Sequence, residues 1–168
     1  MKMEEKISYR MYFFVPYNIT DKQKGIQCGH AVEQYAAKYG HWENYKDYLV
    51  NDKTWIMLDG GTTNNNLDRL GTMQQILHSI MSFNSEYENK YNKMGIRYAT
   101  FYEPDLNDAL SSFCFLVDER VWNYEKYPDY EDYVNEIDTE ITPEEWDMML
   151  GDEMNVFLRE LLRNKKLA

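Results

Sequence analysis

The sequence predicts an α/β fold: a mixed, mostly parallel four-stranded sheet flanked by helices. Three observations lead there. Short continuous apolar runs at residues 11–15 (MYFFV), 55–58 (WIML) and 113–117 (FCFLV) have the pattern of strands covered on both faces rather than one. A fourth candidate strand is 97–102 (RYATFY). Segments with helical spacing lie between these runs, which implies helices on both sides of the sheet.

The first helix is predicted to open at 21–24 and to stop at Gly40, because glycine commonly sits just past a helix C-terminus. At about 100° per residue, Cys28, Val32, Tyr35, Ala36 and Tyr39 share one arc that can face the sheet, which puts His30 on the opposite side. A shorter helix is expected over 42–50. A third should run over about 67–83, where Leu70, Met73, Leu77 and Ile80 repeat at spacings of three and four. The last helix has the clearest start: Thr142, Pro143 and Glu145 form a capping-box pattern with proline at the first helical position. Trp146, Met149, Leu150, Met154, Phe157, Leu158, Leu161 and Leu162 then make an apolar stripe. Arg159, Arg163, Lys165 and Lys166 follow at its end, where positive charge suits the helix dipole.

With 168 residues, 43% of them apolar, the chain suits one domain with an appendage. Residues 1–118 form the α/β domain. Residues 119–168 form an acidic, tyrosine-rich segment and a C-terminal helix packed on it. No apolar run approaches the roughly 18 residues that span a bilayer, and the charged start lacks a signal-peptide core. The expectation is a cytoplasmic protein with no membrane partner, a monomer or a homodimer. Cys28 and Cys114 read as buried small hydrophobes. Histidines at 30, 41 and 78 are too scattered for zinc, so no metal and no cofactor are expected. The abundance of Tyr, Asn, Lys and Asp fits an AT-rich genome, viral genomes included.

The net charge of −11 is unevenly spread. Residues 1–117 hold 12 Lys/Arg against 14 Asp/Glu, residues 118–153 hold 2 against 14, and residues 154–168 hold 4 against 1. Within the acidic stretch, Trp122, Tyr124, Tyr127, Tyr130 and Tyr133 alternate with Glu125, Asp129, Glu131 and Asp132. Carboxylates beside rings imitate phosphates beside bases, so one reading is a nucleic-acid mimic or a decoy for a basic protein partner. The plainer and favoured reading is a flap packed on the domain with its charges in water.

Two segments can carry chemistry. Residues 24–31 (KGIQCGHA) open a helix after a strand, and residues 101–107 (FYEPDLN) follow a later strand. Both can converge on one end of the sheet, where α/β proteins bind ligands. This order, with Gln27, Cys28, Gly29, His30 and Ala31, resembles the archaeal and eukaryotic type of peptidyl-tRNA hydrolase over about residues 8–118. The resemblance implies a mixed four-stranded sheet with flanking helices and metal-free cleavage of the ester at the 3′ end of tRNA. The family's lysine, four residues before the glutamine, falls on Gln23, flanked by Lys22 and Lys24. Its later aspartate falls on Glu103 and its threonine on Asn107, with Asp105 in place of a glycine.

Ester hydrolysis needs a positioned water, a group to orient or deprotonate it, and donors for the developing oxyanion. Glu103 or Asp105 can serve as base and Lys24 or Asn107 as donor, with Lys22, Gln27 and His30 toward the substrate, the tRNA acceptor end. The plainer readings are a bridging Gln27, a surface His30, solvated lysines and turn chemistry at Glu103, Asp105 and Asn107. Residues 59–66 (DGGTTNNN) offer backbone freedom, and Gly60 and Thr62 are placed there as a phosphate or sugar cradle, with a flexible linker as the plainer account. The overall charge opposes a polyanionic substrate. The rival reading is therefore a hydrolase fold whose activity has lapsed and which binds protein through its acidic segment.

Overall fold

The computed structural model describes residues 6–63, 72–91 and 95–168. In chain order these form β1 (Tyr9–Val15), α1 (Asp21–Tyr39), α2 (Glu43–Asn51), β2 (Thr54–Asp59), α3 (Thr72–Tyr91), β3 (Tyr98–Glu103), β4 (Ala109–Asp118), α4 (Glu119–Trp122), α5 (Tyr130–Glu136), α6 (Pro143–Met149) and α7 (Glu153–Leu162). All four candidate strands are strands. The start of the third predicted helix, including Leu67 and Leu70, lies outside the described residues.

The sheet order is β2-β1-β4-β3. β1 pairs parallel with β2, while β1–β4 and β3–β4 are antiparallel. The sheet is thus mixed with one parallel pair, and the expectation of a mostly parallel sheet is corrected. The cause is local. A helical crossover of α1 and α2 joins β1 to β2 and keeps them parallel, but β3 and β4 are joined by the tight segment 104–108. There Asn107 and Asp108 take left-handed φ values of 53° and 55°. Two consecutive residues in that region turn a chain back on itself, so β4 returns antiparallel beside β3.

Strand β1 explains why the apolar runs are continuous. Met11, Phe13 and Val15 face one side with Cys28, Ala31, Tyr35, Tyr45 and Tyr48 of α1 and α2. Tyr12 and Phe14 face the other side with Met73, Ile76, Ile80 and Phe83 of α3, and with Val121 and Leu158. Successive strand residues point to opposite faces, so a strand between two helical layers has no polar face. The two thiols lie in the first of these layers, both free and buried. Burial pushes the Cys28 thiol up to about 12, against a smaller opposite pull from the Ser112 hydroxyl. Burial likewise raises Cys114. No helix among the described residues is long and apolar enough to cross a membrane.

The C-terminal helix is not continuous. Thr142 and Glu145 make the reciprocal capping box, but the chain breaks at Gly151, whose φ is +108°. Asp152 then caps α7 by accepting from the Asn155 N–H at 2.9 Å. The break follows from packing: a β-carbon on Gly151 would lie 2.6 Å from the Arg120 guanidinium carbon. Arg120 is itself held by both carboxylate oxygens of Asp118.

Arg159, expected to sit at the helix end, is buried at 3% exposure. It donates to the Arg120 and Tyr127 carbonyls and to Asp129. With Arg163, which also pairs with Asp129, it clamps residues 123–130 onto α7, and its guanidinium lies 4.3 Å from the Tyr124 ring centroid.

Two outcomes check this packing. Replacing Gly151 by Ala should destabilise the fold by about 1–3 kcal/mol in urea titration, because a β-carbon meets both a disfavoured φ and the pinned Arg120. An unchanged midpoint would contradict the account. Both cysteines should resist a thiol-specific reagent in the native state at pH 8 and react only on unfolding, whereas rapid labelling of either would show that the α1 layer is open.

Candidate functional site

Helix α1 begins where Thr20 accepts from the Gln23 N–H and the Gln23 side chain accepts in return from the Thr20 backbone. Gln23, the position of the resembling family's lysine, is therefore engaged in a capping box. One turn on, Gln27 is buried, at 6% exposure, with a primary amide. A buried amide must find partners for both its donor and its acceptor. Its Nε2 donates to Glu103 Oε2 at 2.8 Å, and its Oε1 accepts from Ser111 Oγ at 2.6 Å. Ser111 Oγ also lies 3.2 Å from the Phe101 carbonyl. A hydroxyl has one proton to give, and the shorter contact to Gln27 takes it. The result is a polar chain from β4 through α1 to the end of β3.

Glu103 ends β3 and caps the following turn, its Oε1 accepting from the Asp105 N–H at 3.3 Å. The hydrogen bond from Gln27 and then that backbone N–H hold its carboxyl below the ordinary carboxylate value, with a smaller contribution from nearby His30. It is an anion at neutral pH. His30 does not point away from the sheet as expected: its ring stacks on Phe101 with centroids 4.4 Å apart. The predicted arc was too narrow because α1 lies across both β3 and β4. Gln27 and His30, three residues apart on the helix, both meet the β3 side.

Two sequence-predicted residues are therefore hydrogen-bonded to each other, and His30 lies beside them. The others are placed differently. Lys24 Nζ pairs with Asp21 at 3.3 Å, and its side chain is 12% exposed. No hydrogen bond or ion pair links it to Gln27 or Glu103 among the described residues. Lys22 is exposed on the first turn of α1. Asp105 and Asn107 are exposed in the turn, where Asn107 supplies the positive φ that reverses the chain.

Gly60 and Thr62 belong to a different region. The Gly60 N–H donates to the Val15 carbonyl, and the Met73 N–H donates to the Thr62 carbonyl. A β-carbon at Gly60 would collide with Met73 Sδ. Residues 59–63 are thus knitted to β1 and α3, with two of the backbone donors, at Gly60 and Gly61, already engaged. Residues 64–66 of that loop lie outside the described residues.

Ser111 was not legible beforehand. A serine within an apolar strand run gives no periodic signal, and only a buried glutamine opposite shows what it does. No group of three His, Cys, Asp or Glu among the described residues is placed to hold a metal ion. The arrangement can hold a carboxylate in one fixed orientation at an open helix–strand edge and present it, ionised, to a water or to a donor on a ligand. No protein-family model matches this chain, and no curated protein is significantly similar to it.

Replacing Ser111 by Ala should cost about 1–2 kcal/mol, because it strands the Gln27 acceptor in the interior. Chemical denaturation measures this directly, and a neutral substitution would show that Gln27 is not buried against β4.

Proposed function

We propose that the Gln27–Glu103 edge is a metal-independent site for an ester at the 3′ end of peptidyl- or aminoacyl-tRNA. The observation that carries this reading is the 2.8 Å hydrogen bond between segments 76 residues apart in sequence. The likeness of residues 27–31 to the hydrolase pattern supports it. In this reading Glu103 orients the attacking water. A carboxylate held below its ordinary value is a weak base, so Glu103 fixes the water by accepting its hydrogen bond, takes its proton only as the water adds to the carbonyl, and passes that proton to the leaving ribose oxygen as the ester bond breaks. Gln27 holds Glu103, and His30 on Phe101 forms the adjacent wall. Lys24, paired with Asp21, gives general positive charge at the helix start. Asn107 and the backbone of the 104–108 turn are the nearest polar groups in sequence for the developing oxyanion.

The test is release of peptide from a model peptidyl-tRNA at micromolar protein, with the Glu103→Gln variant beside it. The reading expects turnover in the wild type and a loss of about 10²–10⁴-fold in the variant. A wild type without turnover, or a variant of equal rate, overturns it.

A second reading has its own observation. The family's lysine position is engaged in the α1 capping box, and 14 acidic residues crowd positions 118–153, which fits a lapsed hydrolase fold that binds a basic protein. Pull-down by the full chain that is lost when Glu131, Asp132 and Glu136 are made neutral supports that reading, and capture that is indifferent to those changes removes it.

A further inference from the structure

A groove of about 1200 Å³ runs along the free edge of β3, between the end of α1 and α3. Strand β3 is the outermost strand of the sheet, so an extended peptide adding itself to the edge is the obvious occupant. The structure argues against it. Asn84 of α3 already donates to the Ile96 carbonyl at 3.0 Å and accepts from the Ile96 N–H at 2.6 Å, as an added strand would. The backbone is therefore already satisfied at Ile96, at the entry to β3, and the side chains that line the groove give it its character.

Those side chains have a distinct chemistry. Trp42 and Tyr102 are 41% and 49% exposed, far more than large aromatic rings usually are in a packed fold. The Arg97 guanidinium lies over the Trp42 ring at 3.5 Å. Stacking engages the face of the guanidinium and does not use its in-plane N–H donors. Arg97 and Lys38 have no carboxylate within ion-pair distance among the described residues. Among the described residues Glu88 is the only acid lining the groove, and its Oε1 is 3.2 Å from where a β-carbon on Gly95 would lie.

Exposed rings, Trp42 with Arg97 over one face and Tyr102, beside cations that no carboxylate neutralises match a strand of stacked bases and its phosphates. We infer that this groove binds a short single-stranded RNA, with bases stacked on Trp42 and Tyr102 and phosphates held by Arg97 and Lys38.

The length agrees. Six residues of β3 span roughly 20 Å, room for about three nucleotides at the extended backbone spacing of single strands. The net charge of the chain does not forbid it, since charges further apart than about 8 Å are largely screened at physiological ionic strength. The acidic residues Asp147 and Glu153 meet α3 on its other side, with Ser79, Ser82 and Glu86, and line no part of this groove among the described residues. The groove reaches Tyr102, but Glu103 turns to Gln27 of α1 and is not part of the lining, so binding here does not depend on any reaction at Glu103.

The experiment is fluorescence anisotropy of a labelled six-nucleotide single-stranded RNA with a free 3′ hydroxyl, titrated with the full chain and with Trp42→Ala, Arg97→Ala and Lys38→Glu. Because the oligonucleotide carries no ester, the result stands apart from hydrolysis at Glu103. The wild type should bind, with an affinity that falls with salt at a log–log slope of about −1.4 for two phosphate contacts. Trp42→Ala should weaken binding about tenfold, the value of one stacked base. Lys38→Glu, at an exposed position that cannot disturb the core, should weaken it by a similar factor. A base-paired hairpin of the same composition should not compete. Absent binding, binding indifferent to all three substitutions, or displacement of the RNA by an extended peptide but not by unlabelled single strand would overturn the inference.

Discussion

One buried amide holds the candidate site together. Gln27 sits inside the packing between α1 and the sheet, where an unpaired donor or acceptor is costly. Its two needs are met by Ser111 and Glu103, 84 and 76 residues further along the chain. Those partners are available only if β3 and β4 lie side by side beneath α1, and only if the 104–108 turn brings Glu103 back to the helix. The requirement of a single side chain thus couples helix placement, strand order and the orientation of the one carboxylate fixed at that edge.

The same packing explains which parts of the fold were legible in sequence. Strands buried on both faces are continuous apolar runs, and each was visible as such. Strand direction was not, because it depends on whether a connection is long and helical or short and turned. Residues 104–108 carry polar groups that suit chemistry and a tight turn alike, and the positive φ of Asn107 and Asp108 makes them the turn. The apolar stripe after Thr142 has helical spacing throughout, yet Gly151 and Asp152 form a stop and a new cap within it. The α7 part of the stripe packs on the core, whereas in α6 Trp146 lies against Tyr133 and Met149 is 42% exposed; the break itself faces Arg120, 31 residues away and invisible to any local pattern.

The candidate site was legible in part for a related reason. Gln27 and Glu103 were chosen because polar residues stood at a helix start and a strand end, positions that face each other in an α/β sheet. Lys24 stands at the same helix start, but its largely covered side chain reaches Asp21, one turn away, rather than Glu103. Charge counts misled in another way. The acidic stretch contains carboxylates engaged with cations of the same chain: Asp118 with Arg120, Glu119 with Lys126, and Asp129 with Arg159 and Arg163. Asp129, held down chiefly by Arg163 against the opposing effect of burial, is a tether as much as an exposed charge. The segment is closer to a strap fastened on α7 than to a free acidic tail.

Titration of the Glu103 carboxyl by carbon-detected NMR tests the central claim most directly, comparing the wild type with Gln27→Leu. A carboxylate whose pKa is lowered by a hydrogen bond that favours its charged form is bonded at neutral pH and loses that bond as pH falls through the depressed value. The account predicts a Glu103 midpoint below that of an ordinary glutamate in the wild type, returning upward toward the ordinary value when Gln27 is lost. An ordinary midpoint in the wild type, or one that Gln27→Leu leaves in place, would contradict it.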